Sequence, residues 1–437
     1  MNYAFRMTPI FFFALAFEAG AQQRPAIRQL GAISAKSSET FANVAGVRPL
    51  SNGAVLVNDL GGRRVVLFDA QLGKFTIVAD STSATANAYG GRIGSLIAYR
   101  ADSTIFVDPT SVSMLVIDPA GKVARVMAIP RAEDAMSLGS TLGNSAVDAS
   151  GRLIYRAGGG MRMMGRQAGG GAGPGALPLP EMPDSAFIVR IDLATRKLDT
   201  LGSIRTPKIK FETKQDENGN MSIQSMYNPL PVVDDWAVTP DGAIAFIRGR
   251  DYHVDWVNPD GTKTSSAKIP FDWKRMTDED KVAFIDSLKA ARERMGAHAP
   301  GALGGQVMGG GGPNVQISIM GAAGGAPRGG DGATRTRGTP TPQPPIFVPA
   351  SELPDYQPAF FAGSTRADLQ GNLWIRTIPT SAIAGGPVYD VINRKGEIVE
   401  RVQIPEGRTI AGFGADGSVY LLNRQGTTST LEKAAAR

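Results

Sequence analysis

The sequence predicts an all-β protein, a six-bladed β-propeller of four-stranded antiparallel blades with one helical plus low-complexity insertion. Three observations carry this. First, two apolar alternating runs joined by an Asx-Gly-type turn recur around Asn52-Gly53, Asp102, Gly151, Gly242, Gly371 and Gly417, a hairpin signature in which only the second copy lacks the glycine. Second, each of the first five copies is followed by an apolar run that ends in Asp or Asn, a turn and another apolar strand, at Asp69, Asp118, Asp192, Asn258 and Asn393. Each unit therefore holds four strands, and its period of about 50 residues suits a propeller blade. Third, the sixth copy stops after one more short strand, TTSTLEK. A ring closes over such a gap when the start of the chain, here near Ile27 to Ile33, supplies the missing outer strand and leaves no large sheet edge exposed.

Residues 1–21 read as a secretory signal. Arg6 gives the positive start, Pro9 to Phe17 is an apolar run too short to span a bilayer, and Ala19-Gly20-Ala21 is a small-x-small cleavage site. Residues 22–437 then form one domain. The chain has 0 Cys, which excludes disulfides, thiolate metal sites, a cysteine nucleophile and a lipid anchor. No later run is apolar enough to cross a membrane, so the expected location is periplasmic or secreted, and the expected state a monomer without a membrane span. A net charge of +6 is spread along the chain with no basic block or interleaved aromatic stripe, which argues against nucleic acid.

The clearest unit is Trp236 to Lys263, WAVTPDGAIAFIRGRDYHVDWVNPDGTK, with two strands, a Pro-Asp-Gly turn, a third strand and a second Pro-Asp-Gly turn. Two longer gaps hold inserts. Residues 158–181 are a Gly/Met-rich loop after the second strand of the third blade, and residues 271–356 follow the last strand of the fourth. In a propeller those two connections open on the same face, so both inserts crowd one mouth of the channel. Within the second, Thr277 and Asp280 resemble a capping box, and Ile285, Leu288 and Met295 fall at helical spacing over Asp278 to Met295. The Gly/Pro-rich remainder has too few large apolar residues to offset the entropy of ordering.

The repeats resemble six-bladed propellers of the NHL and streptogramin-lyase-like group. The likeness rests on Asp368 to Trp374 (DLQGNLW) and Asn393 to Ile398 (NRKGEI) and covers most of residues 40–430 outside the inserts. The resemblance implies a six-bladed propeller architecture and says little of activity. Its lyases are expected to use channel histidines with a metal, whereas this chain has only His253 and His298. Its gluconolactonase-like members are expected to hold a divalent cation through a first-blade Glu with channel Asn and Asp, and the matching strand FANVAGVRPL has no Glu.

The second strands end at Asp59, Asp108, Arg156, Arg248, Arg376 and Arg424. If these converge at the insert-covered mouth, they form a mainly cationic cup suited to carboxylate, phosphate or sulfate, as a small anionic ligand or an acidic peptide or protein. The competing reading pairs the arginines with aspartates at blade junctions. His253, between Asp251 and Asp255, is a weak candidate for an oriented general base. No cofactor is expected; calcium on Asp59, Asp108 and backbone carbonyls is the one conceivable ion, because hard cations take oxygen ligands. Met161, Met163 and Met164 suit soft Cu(I) but read as linker composition, and Trp236, Trp256 and Trp374 read as blade packing. The GGG runs are not phosphate cradles, since no strand and helix flank them. The sequence thus supports an exported binding or interaction module with an anionic ligand at the channel mouth. A metal-dependent lyase or lactonase-type hydrolase, and a structural surface protein, stay open as alternatives.

Overall fold

A computed structural model describes residues 24–81, 89, 94–140, 144–158, 162–163, 180–181, 183–215, 221–295, 346–381 and 383–435. Residues 1–21, where a signal is expected, most of both inserts and the side chains of Met161, Met163, Met164 and His298 lie outside the described residues.

Among the described residues, six sheets of four or five strands follow one another along the chain, each built on an antiparallel meander. Sheet I holds Val44–Pro49, Val55–Asp59, Arg64–Phe68 and Phe75–Asp80. Sheet II holds Ser95–Ala98, Thr104–Asp108, Ser113–Ile117 and Val123–Ala128. Sheet III holds Ala146–Val147, Arg152–Arg156, Ser185–Asp192 and Leu198–Arg205. Sheet IV holds Asp235–Val238, Ile244–Arg248, His253–Val257 and Lys263–Ser265. Sheet V holds Phe360–Ala367, Leu373–Thr377, Val388–Ile392 and Ile398–Gln403. Sheet VI holds Arg408–Phe413, Ser418–Gln425 and Thr428–Ala435, completed by Ile33–Lys36.

The strands read as near-continuous apolar runs because both of their faces are covered. Successive side chains point to opposite faces of a sheet. In the second strand of sheet I, Leu56 packs toward sheet II with Phe106 and Leu115, while Val55 and Val57 pack toward sheet VI with Tyr420 and Leu431. In sheet III, Leu153 and Tyr155 meet Ile105 and Val107 of sheet II, and Ile154 between them meets Trp236 and Phe246 of sheet IV. Further clusters join IV to V through Trp256 and Phe360, and V to VI through Val402 and Leu421. Each sheet is thus packed on both sides, and the last is packed on the first. The architecture is a β-propeller, with the first strands innermost: those of sheets VI and I, I and II, II and III, and IV and V touch.

The recurring acidic markers are turn caps. Asp368 is 6% exposed, and its carboxylate accepts from the backbone N–H of Gln370 (3.0 Å) and Asn372 (2.8 Å), from Asn372 Nδ2 (3.0 Å) and from Trp374 Nε1 (3.0 Å). Gly371 follows at φ 84°, a left-handed conformation that glycine adopts without a Cβ penalty. Asp118, Asp148 and Asn393 cap their turns in the same way. Asp368→Ala leaves those donors unpaired, so it should cost about 2–3 kcal/mol in urea unfolding. Asn at this position should recover part of the loss, because its carbonyl still accepts.

The closing strand differs in register from the sequence expectation. Ile33–Lys36 pairs antiparallel with Thr428–Ala435, whereas Ile27–Gln29 adds a fifth, parallel strand to sheet V beside Ile398–Gln403. The start of the chain therefore clasps two adjacent sheets. Leu30 enters the core between them, and Gln29 Nε2 donates to Gln403 Oε1 at 2.6 Å.

Two features stand over the mouth on which the second-to-third-strand and inter-sheet connections open. One is the Asp278–Met295 helix, whose capping box is reciprocal: Thr277 N donates to Asp280 Oδ2 (3.0 Å) and Asp280 N to Thr277 Oγ1 (3.2 Å). The other is a hairpin between sheets III and IV, Ile209–Gln215 with Met221–Tyr227, beside which Ile346–Phe347 lies parallel. Ile285 of the helix, Met226 of the hairpin, Val348 and Leu353 share one small core, so helix and hairpin form a single cap.

Candidate ligand-binding site

Beside the cap lies a cavity of about 1380 Å³, lined by sheets I, V and VI and by the connections that gather at this mouth. It exceeds the roughly 300–1,000 Å³ of ordinary small-molecule sites. Its wall is rich in cations, and their partners decide which could meet a ligand.

Arg24, Arg401 and Arg408 line the cavity but are balanced by protein carboxylates. Arg24 bonds Asp272 and lies 3.9 Å from Asp390; Arg401 Nε donates to Asp390 Oδ1 at 3.2 Å. Burial pushes the Asp390 carboxyl upward, and the two guanidinium groups partly offset this. Arg408 Nε donates to Glu432 Oε2 at 2.6 Å.

Arg366 is different. It stands on the innermost strand of sheet V, next to the channel, and lines the cavity. Its Nη1 donates to the backbone oxygens of Thr365 (2.8 Å) and Gly363 (3.0 Å) and to Asn144 Oδ1 (3.4 Å). Among the described residues, no protein acceptor meets its Nη2 or Nε. One corner of the guanidinium is therefore anchored, and the edge carrying the other two nitrogens is left open to a ligand.

The anchor is itself built from three sheets. Asn144, just before the first strand of sheet III, donates through Nδ2 to Trp236 O (2.7 Å) of sheet IV and Thr365 O (3.1 Å) of sheet V. Asp235 of sheet IV, 3% exposed, accepts from Thr365 N at 2.9 Å. Desolvation raises the pKa of Asp235. The folded state then holds that proton more tightly than the unfolded chain, so the group's contribution to stability is full below about pH 4 and falls as pH rises through the elevated value. Asp235→Asn, which does not ionise, should gain stability relative to the parent as pH rises from about 4 through the raised value, by about 1.4 kcal/mol for each unit of elevation. Equal pH dependence of the two in urea titrations would contradict this.

Of the six positions singled out from the sequence, two stand in the wall of this cavity. Arg376 and Arg424 line the cavity; Arg156, Arg248, Asp59 and Asp108 are not in its wall. Arg376 is half-buried, and desolvation draws its pKa down. Arg424 is exposed, with Nε donating to Gly426 O at 3.3 Å. Arg248 has the junction pairing: Nε to Asp255 Oδ2 (2.8 Å), Nη1 to Asp234 Oδ2 (3.0 Å) and to Ser203 O (2.8 Å), with the guanidinium 5.2 Å from the Phe246 ring. Burial lowers the pKa of Arg156, and the charge of Asp235 opposes that shift. Asp59 accepts from Gly62 N (2.9 Å) and Arg64 Nε (3.2 Å), and Asp108 from Thr110 N (3.1 Å) and Ser111 Oγ (2.6 Å). These are turn caps, and among the described residues no group of three or more His, Asp or Glu is placed to hold a metal ion. His253 lies between two carboxylates, Nδ1 at 2.7 Å from Asp251 Oδ1 and Nε2 at 3.2 Å from Asp255 Oδ1, and is not in the cavity wall.

Arg366 was missed because attention to second strands leaves out the innermost ones. Its signal was its place two residues before the Asp368 turn marker, on the strand that must face the channel.

No family model matches this chain, and no curated protein does. Solved structures similar to it include a streptogramin B lyase, at 11% identity with 91% of this chain and 96% of that one covered and a TM-score of 0.37. Another is regucalcin, a calcium-binding protein from Agrobacterium tumefaciens, at 12% identity, 94% and 98% coverage and a TM-score of 0.39. A gluconolactonase from Xanthomonas campestris stands at 11%, 95% and 99%, with a TM-score of 0.39. At such identities the likeness concerns the fold alone. Among the described residues no helix is long and apolar enough to cross a membrane.

Proposed function

We propose that this protein is an exported six-bladed propeller that binds a small anionic ligand at its capped channel mouth. The observation that carries the reading is the open Nη2–Nε edge of Arg366 in the cavity wall, held in place by Thr365, Gly363 and Asn144. Two parallel N–H donors at fixed spacing match a carboxylate or phosphate, and a donor pre-set by backbone contacts loses little freedom on binding. Arg376 and Arg424 add positive charge to the same wall. The six sheets and the six cores between neighbouring sheets support the blade count.

A thermal-shift panel of carboxylates, phosphate, sulfate and their neutral analogues tests the reading. The melting temperature should rise with the anions in a saturable way and stay flat with neutral analogues, since a ligand that binds only the native state stabilises it by mass action. Equal shifts for charged and neutral members, or none for any, would overturn it. Calcium and zinc in the same panel test the metal-dependent alternative.

A further inference from the structure

The cavity's uncharged wall narrows the class of anion. Resting on the anion-binding reading above, we infer that the ligand is a monocarboxylate with an apolar body, its head on Arg366 and its body against the cap.

Two observations lead there. The first is the charge balance. Of the seven cations in the wall, Arg24, Arg401 and Arg408 are matched by Asp272, Asp390 and Glu432, and Asp280 and Glu406 bring two further carboxylates to set against Lys274, Arg366, Arg376 and Arg424, so most of the wall's positive charge is already answered by the protein. Bringing a polyanion in would set extra negative charge against those carboxylates. A single carboxylate asks only for the open edge of Arg366, with Arg376 and Arg424 elsewhere in the same wall.

The second is the apolar surface turned into the same space. Phe284 on the cap helix and Phe271 and Met276 on the segment leading to it line the cavity, joined by Leu230, Phe361 and Leu422 from the cap's base and the sheets. Phe271 packs edge to face with Tyr252 at 5.8 Å and with Trp273 at 5.2 Å between centroids. Phe284 reaches the cavity while packing on the cap's core of Met226, Ile285, Val348 and Leu353. A purely polar anion such as phosphate leaves that surface wet; an alkyl or aryl body covers it, and the volume leaves room for one. The cap thus acts as the apolar half of the site and the inner strand of sheet V as the charged half.

The test is isothermal titration of the full chain with acetate, butanoate, hexanoate, octanoate and 3-phenylpropanoate, all below micellar concentrations, and with octan-1-ol as the neutral partner. Affinity should climb about three- to fourfold for each added methylene until the apolar wall is covered. Octan-1-ol should bind at least tenfold more weakly than octanoate. Arg366→Gln should weaken every acid alike, whereas Phe284→Ser should leave acetate unchanged and flatten the rise with chain length. Melting curves of both variants establish that they fold, and Arg366→Lys gives a second, milder charge variant. If acetate, phosphate and octanoate bind equally, the anion site stands and the amphipathic inference falls. If octanoate binds but Phe284→Ser leaves its chain-length dependence intact, the inference also falls. If no anion binds at all, the reading beneath it fails too.

Discussion

Replacing Arg366 with Ala should lower the affinity for small carboxylates by roughly ten- to a hundredfold, the range expected when a charge-assisted hydrogen-bonded pair is lost. The fold should survive, because the bonds given up are from Nη1 to the oxygens of Thr365, Gly363 and Asn144; Thr365 O keeps a second donor in Asn144 Nδ2, and the Thr365 N–H to Asp235 bond still ties sheet V to sheet IV. Arg248→Ala provides the contrast. Its guanidinium is already paired with Asp234 and Asp255, so its removal should lower stability and leave carboxylate affinity within about twofold. Titration calorimetry on both variants separates the two roles. An unchanged affinity in Arg366→Ala, with Arg248→Ala losing binding instead, would move the site to the sheet III–IV junction.

Phe68→Ala should cost about 3–5 kcal/mol of unfolding free energy. The ring is fully buried in the core that joins sheet VI to sheet I, where it meets Phe41 edge-on at 5.9 Å and Phe75 at 5.3 Å. Truncation there leaves a cavity at the junction that closes the circle, and the surrounding strands, each held by neighbours on both faces, have little freedom to collapse into it. Val126→Ala serves as the control: the side chain is 63% exposed on the outer strand of sheet II and should change stability by no more than about 0.5 kcal/mol. Urea titrations compare the two. A loss below about 1 kcal/mol for Phe68→Ala would mean that sheets VI and I are not packed together in solution.

The sheets were legible because their strands have apolar residues on both faces and end in turns with a specific chemistry. Leu56 between Val55 and Val57, and Ile154 between Leu153 and Tyr155, serve cores on opposite sides, and Asp118, Asp148, Asp368 and Asn393 cap the turns that the pattern marks. The helix was legible for the same local reason, since Thr277 and Asp280 satisfy each other's backbone donors. The Ile209–Gln215 and Met221–Tyr227 hairpin was not. It alternates as a hairpin should, but it falls in the same long gap as the Gly-rich insert, and its partner Ile346–Phe347 is more than 100 residues away along the chain. The double clasp at the start of the chain was only half legible: a missing outer strand in sheet VI implies a donor, yet nothing local tells that Ile27–Gln29 first pairs with sheet V. The site was the least legible part. Whether an arginine at a strand end is open or paired depends on groups distant along the chain, as Arg248 with Asp234 and with Ser203 O of sheet III shows, and the anchoring of Arg366 depends on Asn144 more than 200 positions earlier.

The most direct test of the account is the position of one ligand. Crystals of the protein soaked in 4-bromobenzoate and measured at the bromine absorption edge should show the carboxylate on the Nη2–Nε edge of Arg366 and the bromine toward Phe271 and Phe284. Bromine found at the Arg248 junction or scattered over the outer strands, with the Arg366 edge unliganded, would contradict it.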